Sequence, residues 1–95
     1  MYSVVISQIA QDQIETLYDY IARDNVGQAD LVVQKVYGFF DYLRIFPKMG
    51  KPITSHYREF VETKYRYRVI YTCNDAPQRI EIVSILKYQD FIARD

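Results

Sequence analysis

The residues in this chain with the clearest capacity for chemistry are cations. Arg58, Lys64, Arg66 and Arg68 fall in one tyrosine-rich stretch, Tyr57–Cys73 (YREFVETKYRYRVIYTC), and Lys87 follows further on. Guanidinium groups grip phosphates or carboxylates in bidentate fashion, and ammonium groups add point charge. If Arg66 and Arg68 belong to one strand they share a face about 7 Å apart. Arg58 and Lys87 then come alongside from flanking strands, giving an anion-binding or target-binding set of Arg58, Lys64, Arg66, Arg68 and Lys87. Were the anion an RNA phosphate, the same groups would stabilise charge developing during cleavage. The competing reading pairs them with Glu59, Glu62 and Glu81 on neighbouring strands, as an ordinary solvated sheet face.

Other chemistry is sparse. The sequence has no P-loop, no GxGxxG, no metal-ligand cluster and no pair of acids that local spacing brings together. No metal and no cofactor are therefore expected, and no small-molecule substrate. His56 is the only histidine and lies in a loop, where a solvated side chain is preferred over a general base. Cys73 stands alone on the apolar side of its strand, which fits a small core residue in a reducing compartment.

The bulk numbers bound the rest. Ninety-five residues suit one domain, 1–95, with a single core and no need of metal or disulfide staples. Ten tyrosines against no tryptophan are unusual; the ring buries well and keeps a polar tip, so tyrosine suits contact surfaces as well as cores. The formal net charge of zero conceals an asymmetry. Residues 1–47 carry three cations against six carboxylates, and residues 48–95 carry nine against six. A basic second half suits an anionic partner, unless the helices simply have acidic outer faces. MYSVVIS has no charged n-region, and no apolar run reaches bilayer length, so a cytoplasmic chain without a membrane partner is expected.

The elements that must position the cations follow from periodicity. Tyr2–Ile6 is a short β-rich run, and Ser7 is an N-cap for a helix whose stripe is Ala10, Ile14, Leu17, Tyr18 and Ile21. That helix runs to about Arg23. Asn25 with Gln28 has the form of a capping box. The second helix carries a broader stripe of Ala29, Val32, Val36, Phe40 and Leu43, widened by Val33, Tyr37, Phe39 and Phe46, and ends at Pro47. So short a link makes the two an antiparallel hairpin. Lys48–Tyr57 reads as a loop. Three strands follow at about Arg58–Thr63, Arg66–Cys73 and Arg79–Lys87, with a reversal at Thr63–Tyr65 and a hairpin loop at Asn74–Gln78. In the middle strand Tyr67, Val69, Tyr71 and Cys73 face the core, and Arg66, Arg68, Ile70 and Thr72 face outward. In the last strand Ile80, Ile82 and Leu86 alternate with Arg79, Glu81, Val83, Ile85 and Lys87, apolar on both faces like a central strand. The order β-α-α-β-β-β implies an α+β fold, with a helical hairpin packed on one face of a mostly antiparallel sheet.

An ordered set of short segments resembles the RelE/ParE superfamily of toxins from bacterial type II toxin–antitoxin systems. The set comprises the opening strand with Ser7 and Ala10, then Tyr20-Ile21-Ala22, Ala29, Leu43–Pro52 (LRIFPKMGKP), Tyr67–Tyr71 (YRVIY) and Ile80–Lys87. It covers nearly the whole chain. The resemblance implies one of two targets: DNA gyrase, poisoned by ParE-like members, or the ribosome with its mRNA, which RelE-like members cut with basic residues and a tyrosine. In a nuclease of that kind the implied catalytic residues are Arg66, Arg68, Lys87 and Tyr88. The Tyr-Ile-Ala and Phe-Pro-Lys-Met-Gly-Lys-Pro segments are similar to the ParE side. Where RelE-like nucleases carry a further arginine after the last strand's lysine, this chain has Tyr88, which weighs against ribonuclease activity. The resemblance also implies a small cognate antitoxin. Its C-terminal segment would lie as a helix in a groove beside Tyr18, Tyr37 or Tyr42, or as a strand on a sheet edge. A relative that binds its antitoxin without toxicity is the third possibility.

Overall fold

A computed structural model describes residues 1–87 of the chain. The elements are β1 (Ser3–Ile6), α1 (Gln8–Ala22), α2 (Val26–Leu43), β2 (Lys51–Pro52), β3 (Arg58–Glu62), β4 (Tyr67–Asp75) and β5 (Gln78–Lys87). One five-stranded sheet has the order β1-β5-β4-β3-β2, with β1 parallel to β5 and every other pair antiparallel. The helical hairpin covers one face, as the periodicity predicts. Lys51–Pro52 adds a two-residue strand inside the segment read from sequence as a loop.

Both helix starts follow from their caps. Ser7 Oγ accepts from Ala10 N at 3.0 Å, and Asn25 Oδ1 accepts from Gln28 N at 2.9 Å. The capping box at Asn25 is only half formed, because Asn25 N donates to Ile21 O at 3.0 Å. The second helix ends at Leu43, before Pro47, with Arg44 as its C-cap. Ile45 and Phe46 thereby leave the helical stripe and stand exposed.

The core joins three layers of sequence. Ala10, Ile14 and Leu17 come from α1, and Val32, Val36, Phe39, Phe40 and Leu43 from α2. Tyr67, Val69 and Tyr71 of β4 and Ile80, Ile82 and Ile85 of β5 supply the sheet side. Phe39 stacks on Phe60 of β3 with ring centroids 4.0 Å apart, closing the core toward the β3 edge.

A β-bulge in β5 corrects the alternation expected there. Ile70 pairs with Ser84 but Tyr71 pairs with Ile82, so Val83 is an extra residue and the side chains beyond it change face. Ile85 is buried and Leu86 exposed, the reverse of the sequence expectation. A bulge leaves ladder groups unpaired, and α1 supplies partners. Ser7 Oγ donates to Val83 O at 2.9 Å, and Ile85 N donates to Gln13 Oε1 at 2.7 Å.

Candidate functional site

The cations do not form one cluster. Arg68 lies on the outer sheet face as expected, and its Nη1 meets Glu59 Oε2 at 2.7 Å across the strands. Both side chains of that pair are largely covered, so this ion pair is screened less than a surface one. Arg66 is not on the strand beside it. It is exposed in the turn before β4 with φ of 62°, a left-handed conformation outside the alternation of the strand. Lys64 is exposed in the same turn, with its Nζ 5.3 Å from the Tyr65 ring centroid.

Arg58 and Lys87 lie on the opposite, helix-side face. Arg58 is opposite Tyr71, and its Nη1 donates to Gly50 O at 2.6 Å and Lys48 O at 3.3 Å. Lys87 is opposite Tyr67, because the bulge reverses the last turns of β5. Its Nζ sits 3.2 Å from the centroid of Tyr20 on α1, a cation–π contact, with Arg23 at 5.8 Å from the same ring. The expectation that Arg58 and Lys87 flank Arg66 and Arg68 on one face is thus corrected on both sides. Tyr88 lies outside the described residues.

The segment after α2 is fixed from below. Tyr71 is fully buried, yet its hydroxyl donates to Pro47 O at 2.9 Å and accepts from Gly50 N at 2.8 Å. Burial pushes its phenol pKa up, and the bond from Gly50 N opposes the shift. Gly50 is required by space: a Cβ there would lie 2.8 Å from Glu59 O and 2.9 Å from the Tyr71 ring and hydroxyl. With the two carbonyls held by Arg58, residues 47–50 form a corner pinned to β3 and β4. Outside it, Asp75 accepts from Tyr2 Oη at 2.7 Å and from Lys48 Nζ at 3.2 Å. The bond from Tyr2, with help from Lys48, holds the Asp75 carboxyl below its ordinary pKa, and the same bond raises Tyr2 to about 12. The aperiodic sequence of Lys48–Tyr57 predicts only a loop here.

A groove of about 570 Å³ runs between α2 and the β3 edge, walled by Leu31, Lys35, Gly38, Tyr42, Phe60 and Tyr65. Strand β2 covers β3 only at Arg58 and Glu59. Among the described residues, Phe60–Glu62 therefore present an open strand edge beside the groove. Of the three tyrosines expected at such a groove, Tyr42 lines it. Tyr37 is exposed on α2 with its ring edge-on to Phe40 at 5.7 Å, and Tyr18 is half-buried between the helices, donating to Asp30 Oδ1 at 2.8 Å. That bond raises the Tyr18 pKa.

The remaining candidates are modest. His56 is exposed in the loop. Cys73 is half-buried, with its Sγ 3.7 Å from Asp75 Oδ1, and burial raises its thiol pKa, the direction opposite to nucleophile activation. No group of three or more metal-ligating side chains occurs among the described residues. None of the described helices is long and apolar enough to cross a membrane.

Comparison with known proteins accounts for the architecture. The fold is similar to a chain of the chromosomal ParDE toxin–antitoxin system of P. aeruginosa, with a TM-score of 0.76 at 16% identity over 92% of this chain and 96% of that one. It is also similar to the isolated E. coli RelE toxin, with a TM-score of 0.69 at 14% identity over 99% of this chain and 98% of that one. No curated protein matches the sequence significantly. The family model for the ParE toxin of the type II toxin–antitoxin system parDE matches residues 4–90. This chain therefore belongs to the ParE toxin family.

Proposed function

We propose that the chain is the toxin of a type II toxin–antitoxin pair, acting in the cytoplasm by inhibiting DNA gyrase and neutralised by a cognate antitoxin. The observation that carries this reading is the family match over residues 4–90. Sheet geometry weighs against the ribonuclease alternative. Arg68 is on the outer face, engaged with Glu59, while Lys87 is on the helix face against Tyr20. Phosphoryl chemistry needs its positive groups aimed at one reacting centre, and opposite faces of a sheet do not offer that.

The antitoxin has a natural seat in the groove along α2. An amphipathic helix fits the apolar floor of Tyr42 and Phe60, and an extended segment pairs with the open edge at Phe60–Glu62. The test is a supercoiling assay with purified gyrase. Inhibition by the chain, reversed on adding the antitoxin encoded beside it, is the expected result. Unaffected gyrase with A-site cuts in translated mRNA, abolished by Arg68→Ala, would overturn the reading in favour of the nuclease. Unhindered growth at high expression with neither activity would leave a non-toxic antitoxin-binding relative.

A further inference from the structure

Two of the chain's three glycines have neighbours within the fold. Gly50 is fitted against the Tyr71 ring, and Gly27 lies in the first turn of α2, where a Cβ would be 3.4 Å from the capping Asn25 Oδ1. Gly38 has no such neighbour. It lies exposed in the interior of α2, and no described atom comes within 4 Å of the place its Cβ would take. None of the described glycines has a positive φ, so the backbone at Gly38 is open to other residues. Inside a helix glycine is worse than every residue but proline, because it has the most backbone freedom to lose. The free chain thus carries a cost at Gly38 that no internal contact offsets.

Its position says where an external contact would lie. Leu31, Gln34, Gly38 and Tyr42 follow one another at helical spacing along the α2 wall of the groove of about 570 Å³. Gly38 interrupts that ridge. The Gln34 and Tyr42 side chains stand one turn to either side, and Phe60 and Tyr65 line the groove from the sheet side. The row therefore has a notch in it, with Tyr42 and Leu31 42% and 38% exposed nearby. Helices pack by setting the side-chain ridges of one into the gaps of the other. A gap of this kind takes a side chain without displacing its walls.

We propose that the notch at Gly38 receives one large apolar side chain of the antitoxin, presented by a helix packed against α2. This rests on the reading of the groove as the antitoxin's seat, and it narrows that reading. Of a helix on the α2 wall and a strand on the β3 edge, the notch selects the helix, because a strand added at Phe60–Glu62 has no need of a gap in α2. Tyr42, Phe60 and Tyr65 around the notch suit a leucine or an aromatic ring. A side chain of that kind, desolvated in a fitted gap, is the usual form of an interface anchor.

The test measures binding of the full chain to the purified antitoxin encoded beside it. Gly38→Ala should shift the folding equilibrium of the free chain about fivefold toward the folded state, seen as a higher urea midpoint, and weaken antitoxin binding severalfold. Gly38→Leu fills the notch. It should keep a midpoint at or above wild type and weaken binding by about tenfold or more. An alanine scan of the antitoxin's apolar positions then finds the inserted side chain: one substitution should weaken binding to wild type strongly yet cost Gly38→Leu little. Wild-type affinity in Gly38→Leu overturns the proposal, as does a lowered midpoint in Gly38→Ala, which would give the glycine a role in the fold. Equal losses for wild type and Gly38→Leu at every antitoxin position overturn it too. A wild-type chain that does not bind the antitoxin overturns the reading of the groove itself, and this proposal with it.

Discussion

The corner before β3 and the turn after it are both surface connections, yet they are held by different means. The corner at residues 47–50 carries apolar side chains and is fastened by groups that belong to the core, the Tyr71 hydroxyl and the Arg58 guanidinium. The turn at Thr63–Arg66 carries Lys64 and Arg66, and one side-chain bond braces it, from Tyr65 N to Glu62 Oε1 at 2.8 Å. The charged connection attracts attention in the sequence, but the apolar one has the fixed geometry. Here the firmly held backbone belongs to the apolar connection and not to the charged one.

The largest expected effect tests that contrast at its centre. Tyr71→Phe keeps the ring and strips the buried hydroxyl, leaving Gly50 N and Pro47 O without it. Each buried group left unsatisfied costs about 1–3 kcal/mol, so the urea midpoint should fall well below that of any variant in the turn. If Tyr71→Phe unfolds at the wild-type midpoint, the corner is not pinned in the way described. Gly50→Ala should come next. The added methyl meets Glu59 O and the Tyr71 ring well inside contact distance, an overpacking expected to cost about 1–3 kcal/mol. Backbone on one side and a buried ring on the other leave little room to relax.

These two residues also show how far the sequence could be read. The caps at Ser7 and Asn25 were legible because a polar residue immediately precedes a helical stripe, and such signals are local. The alternation of β4 was legible because that strand is paired on both sides and keeps its period through Tyr67, Val69 and Tyr71. Tyr71 was assigned to the core from that alternation, but its hydroxyl partners lie 24 and 21 positions earlier, through space. The β5 bulge was hidden for another reason. Nothing in Val83, Ser84 and Ile85 marks Val83 as the extra residue, so simple alternation puts Lys87 on the wrong face. Arg66 was misplaced by one residue of turn, enough to remove it from the row that includes Arg68.

A smaller effect is expected at the turn, and its sign is the informative part. Arg66 adopts a left-handed φ, which costs a residue with a Cβ about 1–2 kcal/mol. Glycine removes that cost but gives about 0.4–1 kcal/mol back through the freer unfolded chain. Arg66→Gly should therefore leave stability unchanged or raise it by up to about 1 kcal/mol. If Arg66 were on a regular strand, the same substitution would cost about 0.5–1 kcal/mol. A lowered thermal midpoint would return Arg66 to the outer face and restore the charged row.

The smallest effect concerns the outer tie of the corner, where Tyr2 and Lys48 meet Asp75 in solvent. Its pH dependence has two limbs. The Asp75 carboxyl is held below its ordinary value of 3.8, so its contribution is present above that pH and fades as the pH falls through the lowered value. The Tyr2 phenol is raised from 10.0 to about 12, so its contribution is full below pH 10 and is lost as the pH rises toward 12. Both limbs share the hydrogen bond from Tyr2 to Asp75, with Lys48 adding to the acid limb, so removing Asp75 should flatten both. Asp75→Asn is therefore expected to narrow its stability difference from wild type below pH 3.8 and again above pH 10. Exposed pairs are screened, so the difference at neutral pH should be smaller than that of Tyr71→Phe and should shrink further with added salt. A salt-insensitive loss at Asp75 as large as that at Tyr71 would mean the corner is held from outside as much as from the core, and the contrast between the two connections would no longer stand.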